Sequence, residues 1–182
     1  MGQMQAELLA QRLKTTPLEA IYSSPLRRAL VTALTVALAQ ERDVIVEEDL
    51  TEIDHGAWNG LLKEEVEKRF GPLLQLWQIH PSQVQMPGGE SLAQVNERAG
   101  AVLERILANH PQGIVALCSH DAVLKVIITS LLGLPLDHFW GIGLDNASVS
   151  ILDLAPSAPC LLSLNDTCHL GKYRSHTEVQ AL

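Results

Sequence analysis

Basic residues are in short supply: 13 Lys and Arg stand against 21 Asp and Glu, a formal net charge of −8. An acidic surface repels the phosphate backbone on which nucleic-acid affinity depends, which argues against a nucleic-acid partner. Cysteine is scarce as well. Cys118, Cys160 and Cys168 are odd in number and form no C-x-x-C, so they make no disulfide framework and suit a reducing cytoplasm. Cys160, Cys168 and His169 match no zinc-ligand spacing. The 12 Gly and 9 Pro are scattered, which excludes collagen-like and low-complexity chains. No run approaches the roughly 18 uninterrupted apolar residues of a membrane span. No basic segment followed by an apolar one opens the chain, so nothing marks it for export or predicts a membrane partner. What is there is 182 residues, 47% apolar and 19% charged, the composition of a folded globular protein and the length of one domain, taken as 1–182.

Strand and helix patterns alternate. Residues 5–13 read as a helix, 19–22 as a short strand, and Ser24-Pro25 as the cap and first turn of a helix reaching Gln40. In that helix Leu26, Leu30, Ala33, Leu34, Ala37 and Leu38 are spaced to pack on a sheet. Residues 43–47 form a second strand, and a loop at 50–60 is rich in polar groups. Weaker helices over 61–70 and 72–79 lead to a loop around Met86-Pro87-Gly88-Gly89-Glu90. Leu92, Val95, Ala99, Val102, Leu103, Ile106 and Leu107 mark the cleanest amphipathic helix. The apolar run 113–118 predicts a strand covered on both faces, and Ser119-His120-Asp121 ends it. A buried helix over 122–132 and strands at 147–153 and 160–164 follow, with a loosely held tail from about Gly171. The alternation predicts an α/β fold with a largely parallel sheet, whose ligands bind where strand C-terminal ends meet helix N-termini.

Two junctions of that kind carry chemistry. Y-S-S-P-L-R-R-A (22–29) and L-C-S-H-D-A (117–122) place polar or basic residues where backbone N–H groups are unpaired and the helix dipole favours an anion. Arg28 can reach back over the sheet edge and grip a phosphate with two hydrogen bonds; a pair such as Arg27 and Arg28 is also commonly a solvated helix face. His120 can bind an anion or move a proton, or cap a helix. In the loop, Glu52 and Asp54 are carboxylates for general acid work or plain solvated charges. Trp58, Trp77 and Met86 can wall a substrate or belong to the core.

Taken in order, these segments resemble the histidine phosphatase superfamily. Residues 2–13 are similar to its first helix, Y-S-S-P-L-R-R-A-L-V-T-A (22–33) to its S-x-L-x-R-A-x-x-T-A segment, L-T-E-I-D-H-G-A-W-N-G (50–60) to its acid-bearing loop, P-G-G-E-S (87–91) to its lid region, L-C-S-H-D (117–121) to its second-histidine motif and L-N-D-T-C-H-L (164–170) to a common family ending. The resemblance implies a three-layer α/β/α fold with a mostly parallel sheet, phosphoglycerate mutase-like, and phosphoryl transfer on a small phosphorylated substrate. It implies that Arg28 binds the phosphoryl group, that a protonated His120 stabilises it and its transition state, and that Glu52 donates a proton to the leaving alcohol. No metal or organic cofactor is implied.

One family element has no counterpart. The R-H-G motif, whose histidine becomes phosphorylated, stands in the family on a first strand ahead of the first helix, and no R-H-G occurs in this sequence. His55, His80, His110, His138, His169 and His176 lie in other contexts. The expectation is an N-terminally shortened histidine phosphatase, short by roughly twenty to thirty residues, inactive as it stands. The alternatives are a pseudoenzyme or phosphometabolite-binding module, and a mutase. The span 61–90 carries only Lys63, Lys68 and Arg69 as bases, few for a bisphosphorylated substrate, which favours a phosphatase over a mutase. Substrate identity and oligomeric state are not readable from the sequence.

Overall fold

A computed structural model describes residues 1–154 and 158–175. The chain opens with α1 (Gly2–Leu13), followed by β1 (Leu18–Ser23), α2 (Arg27–Gln40) and β2 (Val44–Val46). A long loop with two short 3-10 turns leads to α3 (Lys63–Ile79), and then come α4 (Leu92–Asn109), β3 (Ile114–Cys118), α5 (Asp121–Leu131), β4 (Val149–Asp153) and β5 (Cys160–Asp166). The strands β2-β1-β3 form a parallel sheet with β1 at its centre, and β4 and β5 pair antiparallel as a separate two-stranded sheet. Ser23 lies in register with both Val46 and Cys118, so the three parallel strands end level with one another.

β1 is apolar on both faces and is covered on both. Ala20 and Tyr22 point into a large core built from α3, α4, α5 and the 50–60 loop, while Leu18 and Ile21 meet Leu9 and Ala10 of α1 and Ala33, Val36 and Ala37 of α2. Helix, sheet and helix thus form three layers. Trp58, Trp77 and Met86 are all fully buried in the larger core and wall no substrate. Among the described residues, no helix is long and apolar enough to cross a membrane.

The buried stripe of α2 differs from the expected one. Ala29, Ala33, Val36 and Ala37 are buried, whereas Leu34 is 51% and Leu38 82% exposed. α1 packs against this helix, and an alanine stripe lets two backbones approach more closely than a leucine stripe would. The helix also begins later than Pro25: Leu26 is its N-cap, and Ser24 Oγ accepts the Leu26 N–H at 3.2 Å. α3 unites the two expected helices across a kink at Phe70 (φ −134°, ψ 25°). Pro72 is the cause, because it lacks an N–H and disfavours helical backbone before it. α4 starts from a reciprocal cap in which Ser91 Oγ accepts from Gln94 N and Gln94 Oε1 accepts from Ser91 N.

β3 is less covered than its apolar run suggests. Ile114 is 49% exposed and residues 115–118 are half-buried, although Val115 and Leu117 line one core and Ala116 and Cys118 the other. The physical reason is its edge: among the described residues β3 pairs with β1 alone, and β4 with β5 alone. The segment from Gly171 is better held than expected as far as Ser175, since Gln5 Nε2 donates to the Tyr173 carbonyl at 2.7 Å. Residues 176–182 of that tail lie outside the described residues.

The reassigned face of α2 is testable by urea unfolding. Ala33→Leu, at a fully buried position, is expected to destabilise the fold by about 1–3 kcal/mol through overpacking. Leu38→Ala is expected to stay within about 0.5 kcal/mol of the parent.

Candidate active site

The level ends of β1 and β3 set two strand-to-helix junctions side by side. Ser24 N–H donates to the Cys118 carbonyl at 3.0 Å, carrying the β1–β3 pairing one residue past the strand. His120, two residues beyond Cys118, is the N-cap of α5. Arg28 is the second residue of α2 and leans back toward the same point, as helical side chains do. Its Nε donates to His120 Nδ1 at 3.0 Å. The two residues that the sequence separates by 92 positions are therefore in contact.

This contact assigns the imidazole proton. A guanidinium can only donate, so Nδ1 is the accepting nitrogen and Nε2–H donates to the fully buried Ser24 Oγ at 2.8 Å. Burial, then the Arg28 charge, then that of Arg98 push the His120 pKa down to about 4. This balance favours the neutral imidazole at pH 7 while no anion lies against it. A phosphoryl dianion brought against Arg28 and His120 would reverse the balance, since a negative charge nearby favours the imidazolium.

Glu52 comes to the same place from the loop after β2. Leu50 and Ile53 on either side of it are buried, and Ser119 Oγ donates to the Leu50 carbonyl at 2.7 Å, fastening the loop to the end of β3. Its carboxylate accepts from Ile53 N–H at 3.1 Å. Burial raises the Glu52 pKa most and the Asp121 charge raises it further; the Ile53 N–H, the Arg28 charge and the Ala122 N–H pull it back, leaving it above the ordinary glutamate value. Such a group holds a proton more firmly than a solvated glutamate and can deliver it to a leaving oxygen.

The neighbouring Asp54 behaves oppositely. It is exposed, accepts from Gly56 N and Asn59 Nδ2, each at 2.8 Å, and these hydrogen bonds lower its pKa. It staples a turn and carries no proton at neutral pH. Arg27 is an exposed helix charge, as are Lys68 and Arg69 on α3, while Lys63 at the start of that helix is half-buried.

A second arginine completes the surroundings and escaped the sequence reading. Arg98 of α4 grips Glu90 through Nε and Nη2 at 2.8 and 3.0 Å and donates from Nη1 to the Asp49 carbonyl at 2.6 Å. Glu90 Oε2 in turn accepts the Asp54 N–H at 2.9 Å. The 86–91 segment is thereby locked to the loop bearing Glu52. Gly56 and Gly89 allow the close approach, because a Cβ at either would collide with the backbone opposite. One signal was available: Arg98 stands beside the buried stripe Val95, Ala99 and Val102, where a charge needs a partner.

The other described histidines are placed elsewhere. His110 bonds Tyr22 Oη and Glu19 and so sits toward the opposite end of the sheet, His138 and His169 bond the Pro135 and Ala147 carbonyls, and His55 packs edge-on against Trp77. His80 lies at the C-cap of α3, and His176 is outside the described residues.

Two junctions presenting an arginine and a histidine to one point, with the half-buried Glu52 carboxyl beside them, are suited to phosphoryl chemistry. The family pattern of the histidine phosphatase superfamily (branch 1) matches residues 1–167, and the chain belongs to that superfamily. It is 42% identical over 172 residues to phosphoserine phosphatase 1 of Hydrogenobacter thermophilus, covering 94% of this chain and 82% of that protein. Its fold superposes on Bacillus stearothermophilus YhfR with a TM-score of 0.87 at 27% identity, covering 92% and 84% of the two chains. It also superposes on the mycobacterial glucosyl-3-phosphoglycerate phosphatase Rv2419c with a TM-score of 0.82 at 25% identity, covering 90% and 85%.

The neutral His120 predicts a proton-linked anion site. Sulfate does not titrate near neutrality, so any proton taken up on its binding comes to the protein. Sulfate affinity, measured calorimetrically, is expected to rise as pH falls from 7 to 5, with net proton uptake, because binding lifts the His120 pKa from about 4. His120→Asn is expected to abolish the uptake. Affinity that ignores both pH and the substitution would refute this account of the site.

Proposed function

We propose that this chain is the phosphate-binding and acid-bearing part of a phosphomonoester hydrolase that acts on a small phosphorylated metabolite through a phosphohistidine. The observation that carries the proposal is the Arg28–His120 contact at 3.0 Å, with Glu52, whose pKa burial raises, beside it. Arg28 and His120 bind the transferring phosphoryl oxygens, where fixed donors act most strongly on shifting charge. Glu52 donates its proton to the departing alcohol. In the first step a histidine nitrogen forms a bond to phosphorus as the ester P–O bond breaks. In the second, water cleaves the N–P bond and Glu52 takes back a proton.

The relatives named above support a small phosphorylated substrate, since one is called a phosphoserine phosphatase and another a glucosyl-3-phosphoglycerate phosphatase. Three free cysteines suit a cytoplasmic setting. Lys68 and Arg69 are exposed and Lys63 half-buried on α3, and no further Lys or Arg lies in 61–90, which favours a phosphatase over a mutase.

The nucleophile is not among these residues. The sequence contains no R-H-G, and His55, His110, His138 and His169 have partners other than Arg28. The division of the strands into two sheets supports the same conclusion. Ala116 and Cys118 of β3 and Ala147 and Val149 at the start of β4 pack on one apolar cluster, though the two strands do not pair. An extended strand running beside β3 would carry a histidine at its C-terminal end to the Arg28–His120 pair. A phosphometabolite-binding module without turnover is the second reading, favoured by the combination of an intact anion pair with the missing motif.

Turnover of an aryl phosphate decides between them. The 182-residue chain is expected to show no hydrolysis above background, and a version extended at its N-terminus by a strand bearing R-H-G is expected to hydrolyse the ester. Robust and equal rates from both would overturn the proposed nucleophile. Thermal protection by vanadate, with neither form hydrolysing, would support the binding module.

A further inference from the structure

Glu52 stands in a stretch without regular structure, since residues 51–55 lie between two short 3-10 turns and belong to no helix or strand. The place of its carboxyl therefore depends on what holds the backbone on either side. Buried or half-buried backbone groups need partners, and here one ion pair supplies them at both ends. Before Glu52, the Asp49 carbonyl accepts from Arg98 Nη1 at 2.6 Å. After it, the Asp54 residue is held at both its polar groups by Glu90: its N–H donates to Glu90 Oε2 at 2.9 Å, and its carbonyl accepts the Glu90 N–H at 2.8 Å. Ser119 adds a tie at the Leu50 carbonyl.

The pair is itself rigidly mounted. Glu90 belongs to a tight turn in which Gly89 N–H donates to the Met86 carbonyl at 2.9 Å and Met86 N–H to the Glu90 carbonyl at 3.2 Å, with the Met86 side chain fully buried. Ser91, next in the chain, caps α4, and Arg98 lies on that same helix. Arg98 meets both Glu90 oxygens, through Nε at 2.8 Å and Nη2 at 3.0 Å, and the two side chains are only 16% and 24% exposed. A charge-assisted pair of this two-point kind fixes direction as well as distance. The Arg105–Glu47 pair further along α4 has an arginine 51% exposed and is of the surface kind that holds little. All three Arg98 nitrogens bond Glu90 or Asp49, so Arg98 acts through the loop.

We propose that Glu90 and Arg98 are positioning residues for proton donation: their ion pair fastens both ends of the 49–54 segment and so keeps the Glu52 carboxyl beside the Arg28–His120 pair. The inference rests on the reading of Glu52 as the donor. A general acid works only within hydrogen-bond reach of the oxygen it protonates, and a small displacement of its backbone removes much of its effect. Without the clamp, the irregular segment would have Ser119 as its remaining tie to the sheet edge, and Glu52 would move toward water.

Two substitutions loosen the clamp without emptying it. Arg98→Lys keeps the charge and loses the fork; Glu90→Gln keeps the shape and leaves one acceptor oxygen where two are used. Carboxyl-carbon NMR titration of the 182-residue chain, with the Glu52 resonance assigned through Glu52→Gln, reads the placement of the acid without turnover. The Glu52 midpoint, raised by burial in the parent, is expected to fall toward that of free glutamate in both folded variants. In the R-H-G-bearing version, Arg98→Lys is expected to lower kcat on an alkyl phosphate about 10- to 100-fold. It should lower kcat far less on dinitrophenyl phosphate, whose leaving group departs without a proton. A Glu52 midpoint that both folded variants leave at the parent value, or equal losses on the two esters, would overturn the inference. Failure of the underlying reading looks different: Glu52→Gln would retain full turnover of the alkyl phosphate, whatever Arg98 and Glu90 do to the Glu52 midpoint.

Discussion

The hydrogen bond from Ser24 N–H to the Cys118 carbonyl ties the end of β1 to the end of β3, and the rest of the site is built upon it. Parallel strands in level register deliver their outgoing chains on the same edge of the sheet. α2 and α5 therefore start side by side, and each helix presents its first polar side chains to the other. Arg28 meets His120, His120 meets Ser24, and Ser119 reaches the Leu50 carbonyl to hold the loop that bears Glu52. A one-residue slip in the β1–β3 pairing would turn these strands over and part the junctions.

Around this point the electrostatics are arranged in opposition. Burial and the Arg28 and Arg98 charges push the His120 pKa down, while burial, with a smaller push from the Asp121 charge, raises that of Glu52. An anion between the arginine and the imidazole would favour the charged histidine, and a carboxyl whose pKa is raised gives up its proton less readily than a solvated one. Each of these states depends on the low dielectric of a half-buried crevice, where a neighbouring charge acts far more strongly than in water. The acidic balance of the whole chain is no obstacle to such a site, because the local donors, the Arg28 guanidinium first among them, decide the local field.

Much of the fold was legible in the residues. The stripe of α4 and the apolar runs of β1 and β3 obey simple periodicities, and the Pro72 kink follows from a missing N–H. The stripe of α2 was not legible, because two apolar faces compete there, and only the approach of α1 selects alanines over leucines. Of the site, Arg28 and His120 stood out at their junctions and Glu52 and Asp54 in their loop, and the family resemblance chose among them. Asp54 could not be separated from Glu52, since the difference lies in burial and hydrogen bonding. Glu90 and Arg98 were hidden because their pairing closes a loop against a helix.

The sequence by itself determined the α/β alternation, the two strand-to-helix junctions and the absence of an Arg-His-Gly motif, because propensity, capping and periodicity are local properties. Tertiary structure alone decided that the His120 pKa is pushed down, that the Glu52 pKa is raised while that of Asp54 is lowered, and that Lys125 is buried against Asp121 near the site. It also divided the strands into two sheets. The physical reason is common to all four: charge state and strand pairing depend on which groups share a low-dielectric space, and that is set by contacts between residues far apart in the chain.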